Sequence, residues 1–297
     1  MPEEYGLEFS AMASRCEVRV CAPDAATGRT WANLALAEVR RIEAKFSRYR
    51  TDSVTTRINT AAGGARIEVD AETAALLDFA ARLFEESGGR FDLTSGVLRR
   101  AWDFTARRLP AQRELDTLLP LVGWPLVEWN APGLRLPYAG MELDFGGIGK
   151  EYAADRAAEI LRLAGAAHGF VNLGGDVRGI GAAPEGAPWR IGIQHPRRAG
   201  ELLGSIELAD AGIATSGDYE RYFEYAGRRY CHILDPRSGW PAAHWQCVSV
   251  TAPACVAAGA CATVAMLMPP AEAIGFLERQ GVEFLGVTAA GEAVRRA

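Results

Sequence analysis

Apolar and polar residues alternate along CEVRVCA at 16–22, the two-residue period of a strand with one buried face. The period then lengthens. In TWANLALAEVRRIEAKFSRY, Trp31, Leu34, Val39, Ile42 and Phe46 recur at three to five residues, which gathers them on one side of a helix. Asp70 precedes AETAALLDFAARLFEESGG, where an acidic N-cap, a stripe through Leu76, Leu77, Phe79, Ala80 and Leu83, and Gly88-Gly89 mark both ends of a second helix. A short helix follows near 94–102, and AQRELDTLLPLVGW reads as a helix stopped by Pro120 and Gly123. LVEWN and LRLPYAGMELDF read as strands. The second runs into a helix, EYAADRAAEILRLAG, with Tyr152, Ala153, Ala157, Ile160 and Leu161 on one face. Next come the strand-like pieces GFVNLG, DVRGIG, WRIGIQ, GSIELA, ERYFEYAGRRYCHIL and VSVTAP, with a hairpin turn signalled at Ala226-Gly227. ACVAAGACATVAMLM and PAEAIGFLERQ predict two helices around a last strand, VEFLGVTAA. With no linker, repeat or low-complexity block between these segments, the order predicts one α+β domain over residues 1–297.

Composition narrows the class of ligand. The chain has 297 residues, 49% hydrophobic and 23% charged, as expected of a chain that folds around its own core. A net charge of −5 offers no basic field for nucleic acid, so an anionic ligand must be held by a local site, which favours a small molecule. No apolar run has the length of a membrane span, and MPEEYGLEFS lacks the basic start and apolar core of a secretion signal, so a cytoplasmic protein is expected. The six cysteines show no CxxC spacing and are expected to be buried free thiols. Lysine occurs only at 45 and 150; arginine supplies every other basic side chain.

Lys150 closes LDFGGIGK, where a carboxylate and three glycines crowd the start of a helix. Glycines there let backbone N–H groups approach an anion, and the positive end of the helix dipole favours phosphate. The spacing is neither that of a P-loop nor GxGxxG, and taken alone a tight turn with a surface lysine accounts for it. VNLGGDVRGIG repeats the theme at 171–181, so that two glycine loops could flank one ligand or be ordinary turns. GIATSGDYERYFEYAGRRYCHILDPRSGWP then concentrates Thr215, Ser216, Asp218, Tyr219, His232, Asp235 and Arg237 in a hairpin and its exit turn. A histidine beside such hydroxyls and carboxylates is a candidate base.

These segments, together with SRYRTDSVTTRIN, GGRFDLTSG, WRIGIQHP, IATSGDYERYF and HILDPRSGWP, occur in the order seen in the FAD:protein FMN transferases, the ApbE family, which the chain resembles from about residue 10 to its C-terminus. The resemblance implies a single T-fold-like α+β domain. It also implies an activity: FAD is cut at its pyrophosphate, FMN passes to a threonine hydroxyl of an acceptor protein, AMP leaves, and Mg²⁺ assists. By the same resemblance Asp144 and Lys150 match FAD-contacting positions, and the Gly147 carbonyl and Thr263 match metal ligands. Met12, Tyr49, Trp102, Asp103, Phe104 and Ile233 fall where the flavin or adenine is gripped. His232 matches the base for the acceptor threonine. One departure stands out. Gly259 lies where the family typically has an aspartate, four residues before Thr263, and Glu151 replaces a glycine after the lysine. Mg²⁺ prefers at least one or two carboxylates, so weakened metal binding is expected, with Gly259→Asp as its remedy. A non-catalytic FAD-binding relative, or a Mg²⁺-dependent FAD pyrophosphatase, would use the same residues.

Overall fold

The structure, a computed structural model, describes residues 3–296. Strands β1 (Glu3–Ala11) and β2 (Ser14–Ala22) form a hairpin paired along its full length, from Glu3 opposite Ala22 to Ala11 opposite Ser14. Its two-residue turn, Met12-Ala13, lies in the left-handed region (φ 51° and 57°), which matches the twist of the flanking strands. β1 was not among the expected strands, although Tyr5, Leu7 and Phe9 alternate toward the core. Helix α1 (Ala25–Phe46) follows, capped by the Asp24 side chain, which accepts from the Thr27 N–H. Its buried stripe differs from the expected one: Gly28, Ala32, Ala35, Val39, Ile42 and Phe46 face inward, while Leu34 is 44% exposed. Small residues on this face let a second helix, described below, lie close against it.

α2 (Val54–Thr60), β3 (Ile67–Glu68), α3 (Ala71–Glu86), a 3₁₀ stretch at Leu93–Arg100, α4 (Gln112–Leu118), β4 (Glu128–Asn130) and β5 (Gly133–Arg135) form an insertion in which β3, β5 and β4 make a small sheet. α3 begins and ends as expected, with Asp70 accepting from the Thr73 N–H and Gly88 and Gly89 at positive φ. The expected strand LRLPYAGMELDF is shorter, because only Gly133–Arg135 pairs. Farther on, the Asn59 amide stands in for a neighbouring strand: its Oδ1 accepts from the Leu143 N–H (2.7 Å) and its Nδ2 donates to the Leu143 carbonyl (2.9 Å). The Asp144 N–H donates to the Leu93 carbonyl. The segment before the glycine turn therefore lies outside any sheet.

α5 (Gly149–Leu163) returns to the main sheet through β6 (Gly169–Leu173) and β7 (Asp176–Ile180). β8 (Trp189–Gln194) and β9 (Leu202–Leu208) pair as a separate hairpin, as do β11 (Tyr222–Tyr225) and β12 (Arg228–Cys231). β10 (Gly212–Gly217), β13 (Trp245–Ala252), α6 (Cys255–Met266), α7 (Pro270–Arg279), β14 (Glu283–Thr288) and β15 (Ala293–Arg296) complete the chain, so one strand follows the expected last one. The eight-stranded antiparallel sheet has the order β1-β2-β6-β7-β10-β13-β14-β15. α1 and α5 pack together over its first half and α6 over β10 and β13. The β8–β9 hairpin contributes Ile193 and Leu208 to a second apolar cluster with Phe170, Val177 and Ile213. All six cysteines are buried and unpaired. No described helix is long and apolar enough to cross a membrane.

Candidate functional site

The turn at Gly146-Gly147 is held in place through Asp144. The Asp144 carboxylate accepts from the Gly146 N–H at 2.9 Å and pairs with the Arg48 guanidinium. Gly96 makes that possible, because a Cβ there would stand 2.6 Å from the Asp144 Cβ. Arg48 also donates to the Tyr49 hydroxyl and lies over its ring, 4.9 Å from the centroid, leaving Tyr49 78% exposed on the rim. Met12 stands at the β1–β2 turn, its N–H held by Glu43 at 2.5 Å.

Lys150 points across to β7, where its Nζ is 2.8 Å from an oxygen of the buried Asp176. The Gly174-Gly175 turn joins β6 to β7 beside this pair. A Cβ at Gly174 would sit 2.7 Å from the Ser14 side chain and 3.6 Å from the Lys150 Nζ. Burial opposes the lysine's charge, but Asp176 and then Glu151 outweigh it and raise its pKa. One cation faces two carboxylates, and Glu151 is the one left over. Burial first, and the charge of Asp176 second, push its pKa up to about 8. Glu151 Oε2 is buried without a hydrogen-bond partner.

Glu151 reaches α6 at Gly259. A Cβ at 259 would meet the Glu151 Cγ and Oε1 at 2.6 Å and its Cδ at 2.8 Å, so the carboxyl group fills the space a side chain there would occupy. One turn later Thr263 Oγ1 lies 3.0 Å from Ser216 Oγ on β10. The expectation that Gly259 leaves this place without a carboxylate is therefore corrected, and an aspartate at 259 would require the Glu151 carboxyl group to move aside. An orphaned carboxylate oxygen, a glycine cradle and paired hydroxyls form an oxygen-rich donor set that suits a hard divalent cation such as Mg²⁺.

His232 follows β12, its N–H donating to the Arg221 carbonyl (3.0 Å). The residue as a whole is exposed to solvent. Surrounding protein, with the cations of Arg221 and Lys150, lowers its pKa to about 4. The carboxylates expected to serve it are engaged elsewhere: Asp218 takes a two-pronged contact from Arg197 (2.7 and 2.6 Å), and Asp235 pairs with Arg237 at 2.8 Å. His232 thus lacks a carboxylate partner, and its surroundings favour the neutral imidazole.

The sequence pattern of the ApbE family spans residues 12–285. The chain belongs to the ApbE family. It is 31% identical to the FAD:protein FMN transferase of Treponema pallidum over 96% of this chain and 83% of that protein, and 30% identical to that of Haemophilus influenzae over 83% and 75%. Its fold matches the ApbE protein of Thermotoga maritima with a TM-score of 0.92 at 34% identity, covering 99% of this chain and 97% of that one. The flavinyl transferase ApbE of Pseudomonas stutzeri, in its apo form, matches with a TM-score of 0.87 at 28% identity, covering 99% and 94%.

Within this ApbE fold, the other ring-gripping candidates divide. Trp102 is only 3% exposed; its indole N–H donates to the Gly239 carbonyl at 2.8 Å, and Phe104, Tyr230 and Trp240 pack around it. It anchors the loop, and its buried ring offers no free face for stacking, contrary to expectation. Asp103 organises the next turn, accepting from the Thr105 and Ala106 N–H groups at 2.9 Å. Phe104 stacks on Trp102 and is partly open, and Ile233 is half-buried against the main core. Arg48 is a site residue that pattern reading missed. Nothing in SRYRTD distinguishes it from Arg50, which pairs with the neighbouring Asp52 instead.

Proposed function

We propose that this chain takes FMN from FAD and attaches it to a threonine hydroxyl of an acceptor protein, releasing AMP. The observation that carries the reading is that Lys150, in the first turn of α5 just after the Gly146-Gly147 turn, stands beside the Gly174-Gly175 turn and near enough to His232 for its charge to act on the imidazole. Backbone N–H groups, the helix dipole and an ammonium group suit a pyrophosphate. Partially open Tyr49 and Phe104, with Met12 and Ile233, suit the rings at either end.

The hydroxyl oxygen forms a bond to the FMN phosphorus, the P–O bond to the AMP phosphate breaks, and AMP departs with the bond electrons. The hydroxyl proton passes to the neutral imidazole of His232. Asp144, clamped by Arg48, holds the glycine turn in place. Thr263 and the Gly147 carbonyl would help hold Mg²⁺, which supplies charge compensation for the transferring phosphoryl group. Six unpaired thiols support a reducing compartment, read here as the cytoplasm.

Incubation with FAD, Mg²⁺ and a threonine-bearing candidate acceptor should raise the acceptor's intact mass by one FMN, with AMP released in equal amount. Free FMN and AMP without labelled protein would make the chain a pyrophosphatase. Bound but unchanged FAD would make it a flavin carrier.

A further inference from the structure

The junction of α5, β7 and α6 holds three carboxylates, Glu151 and Asp176 buried and Asp155 half-buried, and two are fully employed. Asp155 accepts from the Cys255 and Val256 N–H groups at 2.9 Å each, capping α6, and meets Arg178 at 3.2 Å. Asp176 takes Lys150 and the Thr215 N–H. Glu151 alone of the three keeps an oxygen without a partner, although it is 8% exposed. Left charged, a buried oxygen in that condition costs several kcal/mol, a cost that a bound proton or a bound cation removes.

Two features show where such a cation would lie. Gly259 has no side chain where the Glu151 carboxyl sits, so α6 is shaped around a group delivered from α5. The Ser216 and Thr263 hydroxyls, 3.0 Å apart, share one proton between them and leave lone pairs free one helical turn away. We propose that Glu151, reaching across from α5 into the cradle of Gly259, is the carboxylate ligand of a divalent-cation site completed by Thr263. The inference rests on the metal-assisted reading above and adds to it the source of the charge. The carboxylate and the glycine form an exchangeable pair: a long acid on α5 with glycine on α6 is equivalent to glycine on α5 with a short acid on α6.

Mn²⁺ binding to FAD-loaded protein, followed by the electron paramagnetic resonance of free Mn²⁺ and corrected for FAD alone, tests this without requiring turnover. Wild type should bind one Mn²⁺. Glu151→Gln keeps the shape and removes the charge, and should weaken binding at least about tenfold. Gly259→Asp alone should melt lower than wild type and gain no affinity. The double variant Glu151→Gly with Gly259→Asp should bind Mn²⁺ within a few-fold of wild type, whether or not Glu151→Gln folds well. Wild-type affinity in Glu151→Gln would overturn the assignment while leaving metal assistance intact, and so would a folded double variant that binds no better than Glu151→Gln. Absence of Mn²⁺ binding by FAD-loaded wild type would sink the metal-assisted reading itself, and this inference with it.

Discussion

Histidine 232 shows how a residue's surroundings determine its chemistry. With protein crowding its ring and two cations nearby, its pKa falls to about 4, so the imidazole is already in the basic form at neutral pH. An imidazole in that state is unprotonated at neutral pH though a weaker base than an unperturbed one, and Asp218 and Asp235 are occupied by arginines. His232→Ala should reduce FMN transfer by about 10²–10⁴-fold while FAD affinity by fluorescence quenching changes little, because the ring meets the acceptor hydroxyl and not the ground-state dinucleotide. In the pH profile of kcat/KM, an acid limb centred near 6.5 would contradict the depressed pKa. The profile should stay flat on that side until the pH approaches 5.

Among the elements, the turn that carries Asp144 owes its position to a side chain eighty-four residues away in sequence. Asn59, on α2, satisfies both the N–H and the carbonyl of Leu143, next to Asp144. Asn59→Ala should leave two backbone groups unpaired in a half-buried setting, costing about 1–3 kcal/mol in urea unfolding. The same change should loosen Asp144 and the Gly146-Gly147 turn, so FAD affinity should fall as well. A variant with the wild-type unfolding midpoint would mean that water or a shifted neighbour replaces the amide without loss. Loss of stability with unchanged FAD affinity would separate α2 from the site.

At the scale of the whole molecule, an ionic cluster ties the insertion to the main sheet layer. Glu72 on α3 takes Arg41 and Lys45 of α1 at 2.6 Å each and the Tyr152 hydroxyl of α5 at 3.0 Å. Arg41, against the opposing effect of burial, and then Lys45 lower the Glu72 pKa from 4.5 to about 2. A carboxylate that binds protons less readily in the folded chain than in the open one stabilises the fold fully above pH 4.5 and ceases to as pH falls toward 2. The Tm difference between wild type and Glu72→Gln should therefore be greatest near neutral pH and close as pH falls toward 2. A gap of constant size would show that the cluster is held by packing and not by charge. Solvent reaches part of this cluster, so added salt should narrow the gap at pH 7.

Periodicity alone determined most of the elements, because a repeat of two or of 3.6 is a local property and caps such as Asp70 act within one turn. It failed where the partner is remote. LRLPYAGMELDF has a strand's pattern, but its polar backbone is satisfied by Asn59 and Leu93, and β1 was hidden among acidic residues that its solvent-facing edge tolerates. For the site, the order of motifs was enough to reach the ApbE family and to single out the glycine turn, Lys150 and His232 as candidates, since each sits in a contiguous stretch. Glu151 and Gly259 are 108 positions apart, and read one at a time each looks like a loss. Only the packing of α5 against α6 shows them to be complementary, since a carboxyl group and the space it fills must be seen together. Trp102 makes the same point in reverse: its place beside Asp103 and Phe104 suggested a ring platform, and the aromatic cluster around it turned the indole inward.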